Sequence, residues 1–178
     1  MKKILVTGGT TFVSKYAAEY FVNMGYEVYV LNRNTKSQVR GVKLIEGDRH
    51  NLNGILKNLS FDVVADITAY NEKDIIDFVK ELGSYGQYIM ISSSAVYPEY
   101  GVQPFLEESE KAANIFWGTY GTDKIAAEKA LLERVKDAYI LRPPYLYGPM
   151  NNVYREAFVF DCALADRKFY LPLYGPMN

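Results

Sequence analysis

Lys3-Ile4-Leu5-Val6-Thr7-Gly8-Gly9-Thr10-Thr11-Phe12-Val13-Ser14 is the stretch whose reading decides the fold. Ile4–Thr7 is a short apolar run ended by two glycines, the pattern of a central strand in a parallel sheet. Phe12–Met24 follows with helical spacing: Phe12, Tyr16, Tyr20 and Met24 stand four apart, and Gly25 is the stop. Glycines between a first strand and a helix let the backbone approach a pyrophosphate held at the helix N-terminus. The usual spacing would put glycines at positions 8, 11 and 14. Here Thr11 and Ser14 stand at the last two, both small, and Ser14 can still donate to phosphate. An ordinary strand–turn–helix has the same outline, so the rest of the chain must support the reading.

Outward from this unit, strands are expected at Glu27–Leu31, Val42–Glu46, Asp62–Ile67, Gln87–Ile91 and Ala138–Leu141. Helices are expected at Leu52–Leu59, Glu72–Leu82, Thr119–Val135 and Val153–Leu164. In the second of these Ile75, Phe78, Val79 and Leu82 share one side. Pro98 to about Gly118 reads as a long surface loop, a kind of segment that tends to be functional. Strands alternating with helices predict an α/β fold with a doubly wound parallel sheet of the Rossmann type.

Composition narrows the class. The 178 residues are 49% hydrophobic and 23% charged, which suits one globular domain with a sizeable core. A net charge of −1 gives no general attraction to nucleic acid or anionic membrane. Cys162 is the only cysteine, so no intrachain disulfide can form and a reducing, cytoplasmic compartment is expected. The apolar run after Met1 is too short for a signal peptide, and no stretch approaches the length of a membrane span. Tyrosine is frequent, at 16 residues, without a decisive reason. Leu146–Asn151 recurs letter for letter as Leu173–Asn178. A sequence error or a truncated reading frame is the expectation, so the chain divides into one domain over residues 1–171 and an uncertain tail over 172–178.

The chemistry gathers at the carboxyl ends of the expected strands. Tyr120 and Lys124 stand four apart on one helix face, with Cβ atoms about 5–6 Å apart. An ammonium that close favours the phenolate, and such a tyrosine can exchange a proton with an alcohol. The spacing alone also fits an ordinary helix surface. Ser92-Ser93-Ser94-Ala95-Val96-Tyr97 follows the fifth strand; a serine there can bond a substrate oxygen or simply cap a turn. Asn32-Arg33 ends the second strand, where an acid would bind a ribose 2′-hydroxyl. No acid is present, and a guanidinium suits a 2′-phosphate, so NADP is favoured over NAD, unless Arg33 is merely a solvated charge. Asp48, after the third strand, can accept from adenine, with Arg49 beside it. The single histidine, His50, receives no role, and no metal site is expected.

These segments together resemble the extended and atypical short-chain dehydrogenase/reductase superfamily, the NAD-dependent epimerase/dehydratase group, from Lys2 to about Leu164. The glycine turn, Gly47-Asp48, Ser-Ser-Ser-Ala-Val-Tyr, Tyr-x-x-x-Lys and Arg142-Pro-x-x-x-Tyr-Gly-Pro come in that group's order. The resemblance implies Tyr120 as proton carrier, Lys124 as its partner and Ser93 as the substrate-orienting hydroxyl. It implies cofactor contacts from Gly8, Gly9, Thr10, Thr11, Phe12, Val13, Asn32, Arg33, Asp48, Arg49, Thr68, Ala69, Ser92, Tyr120, Lys124 and Pro143. It further implies a sugar-like, often nucleotide-linked substrate, and a homodimer through helices Glu72–Leu82 and Thr119–Val135. Extended relatives continue into a smaller substrate domain, most of which is expected to be missing here. Similar atypical relatives include RNA-binding members, so a non-catalytic, cofactor-sensing or RNA-associated protein is the alternative; the lack of a basic excess counts against RNA.

Overall fold

The computed structural model describes residues 1–170. Leu171 and the repeated hexapeptide at Leu173–Asn178, with the tail expected over 172–178, lie outside them. Six strands, β1 (Lys3–Thr7), β2 (Glu27–Asn32), β3 (Lys43–Glu46), β4 (Ser60–Asp66), β5 (Ser84–Ile91) and β6 (Tyr139–Leu141), form one sheet in the order 3-2-1-4-5-6. Every pairing is parallel. The expected doubly wound Rossmann-type sheet is therefore present. The strand order reverses between β1 and β4, and such a switch point opens a crevice at the carboxyl ends of the strands.

Alternation along β1 supplies both faces of the core. Ile4 and Val6 pack with Val28, Val30 and Ala65 beneath helix α1 (Phe12–Asn23). Leu5 faces the other way, toward Val64, Tyr88 and Met90, under α2 (Glu72–Val79) and α3 (Thr119–Arg134). The last helix among the described residues, α4 (Glu156–Leu164), follows β6 and buries Cys162. No helix among the described residues is long and apolar enough to cross a membrane.

One expected helix is absent, and α1 buries other residues than its four-spaced stripe. The four-spaced stripe on α1 is not its core face: Tyr16, Tyr20 and Met24 are at least half exposed, and the helix buries Ser14 and Ala18 instead. Small side chains let the helix lie close to β1 and β2, so the larger residues turn outward. Leu52–Leu59 is a succession of turns rather than a helix, with bonds from Ile55 to Leu52, Lys57 to Gly54 and Leu59 to Leu56. Asn53 and Gly54 have φ of +51° and +79°, which no right-handed helix accommodates. Leu52 and Leu56 are buried nonetheless, which explains their helix-like spacing.

Candidate active site

Two cavities lie along the carboxyl edge of the sheet. The larger, about 710 Å³, is lined by Thr11–Ser14, Ser92–Ser94, Tyr120, Lys124 and Pro143 among others. The smaller, about 310 Å³, is lined by Gly8, Asn32, Arg33, Asp48, Arg49 and Thr68. Tyr70 borders both. Most of the expected site residues thus converge on one edge, divided between two neighbouring hollows. Gly9, Thr10 and Ala69 line neither cavity.

The glycine turn fits a phosphate for packing reasons. Gly8 and Gly9 have φ of +89° and +87°. A Cβ on Gly9 would stand 2.5 Å from the Val30 Cγ1, and one on Gly8 2.8 Å from the Ser14 Oγ. Side chains there would fill the cradle or push the turn off β2. Thr11 begins α1 without a side-chain cap, so the first-turn N–H groups remain available to an anion at the cavity wall. Ser14, where a third glycine is usual, donates its hydroxyl to the Thr11 carbonyl at 2.9 Å. Its side chain is buried rather than free to contact phosphate.

Lys124 is nearly enclosed, with 2% of its surface exposed. Its Nζ donates to the carbonyls of Ala69 at 2.6 Å and Ile91 at 2.9 Å. An ammonium has three donors, so one remains for a ligand. It lies 5.9 Å from the Tyr120 ring centre and 4.9 Å from that of Tyr70. Burial pulls its pKa down to about 8, against the opposing charges of Asp66 and Asp74. Tyr120 itself is 37% exposed and opens into the larger cavity. The helix can carry it there because Gly121 has no side chain: a Cβ would stand 2.4 Å from the Ala95 carbonyl oxygen. α3 thereby rests against the turn that holds Ser93. The Ser93 Oγ accepts from the Ala95 N–H at 3.2 Å, so it caps that turn and keeps its own proton for donation. The expected turn-capping reading of this serine is present.

Beneath the site are two buried ion pairs that sequence reasoning missed. Arg49 turns inward, donating to Asp66 at 2.9 Å, to Thr68 at 3.0 Å and to the Asp74 carbonyl at 2.9 Å. Asp66 also accepts from Thr7 at 2.8 Å and Tyr88 at 2.7 Å. Burial pushes the Asp66 carboxyl up, but Arg49 and these hydroxyls hold it below the usual range. The Arg49 guanidinium is therefore committed to the fold, although the residue also lines the smaller cavity. Arg142 grips Glu128 with two bonds of 2.9 Å, and Ser92 donates to the same carboxylate at 2.5 Å. Ser92 is thus tied to α3 rather than directed at a ligand. The Asp48 carboxylate accepts from the His50 N–H at 2.9 Å, while Arg33 stands exposed at the smaller cavity. Asp66 and Glu128 carried one available signal: an acid at an otherwise apolar strand or helix position requires a partner.

A parallel sheet in this order, with a glycine turn under an uncapped helix, makes the fold a doubly wound Rossmann-type one, and the expected Tyr–Lys pair lies at its carboxyl edge. Residues 4–81 match the model of the NAD dependent epimerase/dehydratase family. The chain is 27% identical over 192 residues to the chloroplast stem-loop binding protein of 41 kDa b of Arabidopsis thaliana, covering 98% of this chain and 50% of that protein. It is 26% identical over 177 residues to a probable GDP-L-fucose synthase 1 of Oryza sativa subsp. japonica, covering 86% and 53%. The chain spans about half the length of these two relatives. Its fold is similar to dTDP-glucose 4,6-dehydratase of Bacillus anthracis str. Ames, solved in complex with NAD. That match has a TM-score of 0.75 at 20% identity and covers 99% of this chain and 65% of that one.

Proposed function

We propose that the chain is the cofactor-binding part of an NAD(P)-dependent epimerase, dehydratase or reductase acting on a sugar-like, nucleotide-linked substrate, with residues 1–171 as one domain. The observation that carries this reading is the meeting of Ser93, Tyr120 and Lys124 on one cavity with the uncapped start of α1. The family match and the dehydratase and synthase names of similar proteins support it. A bound nicotinamide would supply the hydride chemistry. Tyr120 moves the proton, because its phenol reaches the cavity while Lys124 holds positive charge one helical turn away. Lys124 directs its remaining N–H at the cofactor ribose. Ser93 donates to the substrate oxygen as charge develops on it. Arg33 takes a ribose 2′-phosphate, so NADP is the favoured cofactor over NAD. A homodimer through α2 and α3 and a cytoplasmic location complete the proposal.

The test is a titration with NADPH and NADH, followed by nicotinamide fluorescence, and then a screen of nucleotide sugars for turnover. Binding of cofactor with turnover of one such sugar is expected; failure to bind either cofactor would overturn the reading. A second reading, an RNA-associated protein, has one observation in its favour, the stem-loop binding name of a relative that aligns with 98% of this chain. The net charge of −1 opposes it. Salt-sensitive retention of a stem-loop RNA without cofactor turnover would move it ahead.

A further inference from the structure

Tyr70 stands where the two cavities meet, and among the described residues it is the one that lines both. The loop that carries it is pinned on either side. The Ala69 carbonyl accepts from Lys124 at 2.6 Å, and the N–H groups of Tyr70 and Asn71 donate to the Asp74 carboxylate at 2.6 and 3.1 Å. The Ile67 and Thr68 N–H groups donate to the Thr7 hydroxyl at 2.9 and 3.1 Å. Tyr70 itself is 54% exposed, so its side chain can turn about its own rotors while the backbone holds still. Its ring centre lies 4.9 Å from the Lys124 Nζ, inside the range of a cation–π contact. Burial first, then Tyr120 and Asp74, push the Tyr70 phenol up, so the ring stays neutral and attracts the ammonium through its face.

We propose that Tyr70 is a gate between the two cavities, closed by its contact with Lys124 and displaced by a ligand that spans them. The inference rests on the cofactor reading above and assigns a residue that sets the site's selectivity among nucleotides. A dinucleotide places its halves in both cavities and a ribose at Lys124. It must therefore turn the ring aside and lose the cation–π contact. An adenosine phosphate fits the smaller cavity, beside Arg33 and Asp48, and leaves the ring where it is. The cleft thus penalises a dinucleotide but not its adenosine half, because only the state with the ring turned aside admits the whole molecule. The enclosure of Lys124 strengthens the contact that closes the gate, since a cation–π attraction grows as water is excluded.

The test is a calorimetric titration with NADPH and NADH and with their adenosine halves, adenosine 2′,5′-bisphosphate and AMP. Tyr70→Ala should bind the dinucleotides about five- to thirtyfold more tightly, the fold-change of a partly to fully desolvated cation–π contact. Its affinity for the adenosine halves should stay within about twofold of the parent. Tyr70→Phe keeps the ring face and should not show the gain. In a chain that already carries Lys124→Met, the gain from Tyr70→Ala should vanish, since the charge that holds the ring is gone. Dinucleotide binding by Tyr70→Ala but not by the parent would be the gate at its strongest. Weaker or equal dinucleotide binding by Tyr70→Ala, an equal gain for the adenosine halves, or a gain that persists beside Lys124→Met would overturn the inference. If a dinucleotide binds the parent in such a case, the gate alone has failed. If no dinucleotide binds the parent or Tyr70→Ala, the proposed function has failed with it.

Discussion

Burial of Lys124 has consequences that can be measured one residue at a time. Its pKa is drawn from the ordinary 10.5 to about 8 by desolvation, so the ammonium beside Tyr120 is lost as pH rises through about 8. Cofactor affinity should fall across that pH, and Lys124→Met should show a weaker affinity with no such step; titration by nicotinamide fluorescence on both sides of it decides. The stability sign is opposite. Between about 8 and 10.5 the unfolded chain holds a proton that the folded chain lacks, so this residue's contribution to stability rises with pH there, readable in urea melts. Tyr120→Phe keeps the ring and its packing. It should leave cofactor binding intact while cutting turnover by about 10²-fold or more, the scale of general acid–base catalysis. Parent-rate turnover by that variant would sink the mechanism. Arg33→Ala should abolish a preference for NADPH over NADH, and equal affinities in the unsubstituted chain would remove the argument for a 2′-phosphate. The placement of Tyr120, Lys124, Ser93 and Arg33 at the cavities was legible because each sits at a motif position at the carboxyl edge of the sheet. The ion pairs of Asp66 and Glu128 were not, since their partners lie in other segments of the chain.

Elements seat these residues through close backbone approaches rather than large apolar contacts. Gly121 lets α3 rest on the turn at Ala95, with only 2.4 Å for an added Cβ against a carbonyl oxygen. Backbone cannot rotate away as a side chain would. Gly121→Ala should therefore destabilise the fold by about 1–3 kcal/mol, the usual cost of overpacking, and lower turnover further by displacing Tyr120. Thermal melts and rates together check it; an unchanged melting temperature would show that α3 is not held there. α1 offers a contrast. Ala18→Leu should cost about 1–3 kcal/mol beneath the sheet, whereas Tyr16→Ser, on the exposed stripe, should stay within about 0.5 kcal/mol. Spacing showed that α1 is a helix but not which face it buries, because a four-residue period says nothing about which side meets the sheet. α2 is started by Asn71, whose side chain accepts from Asp74 while Asp74 accepts from Asn71. That reciprocal cap was readable as Asn-x-x-Asp in the sequence.

On the scale of the whole molecule, α2 and α3 turn their main apolar faces inward: Ile75, Phe78, Ala127 and Leu131 are all buried against the sheet. The outward sides keep Leu132, half exposed, among Asp123, Lys129 and Glu133. The proposed dimer would bury that side, and light scattering at micromolar concentration should give twice the chain mass; a monomeric mass would count against it. The alternation of apolar strands with helices, and a glycine turn after the first strand, determined a doubly wound parallel sheet and the edge on which its site lies. Both are local patterns, set by the period of each element and by the few residues that permit a tight turn. The chain-order motifs likewise determined which tyrosine, lysine and serine to expect together. Only the tertiary structure decided that Arg49 is paired with Asp66, that Ser92 is tied to Glu128, and that Lys124 is enclosed enough for burial to draw its pKa down to about 8. Those outcomes depend on burial and on partners brought together from distant segments, and desolvation has no signature in a linear sequence.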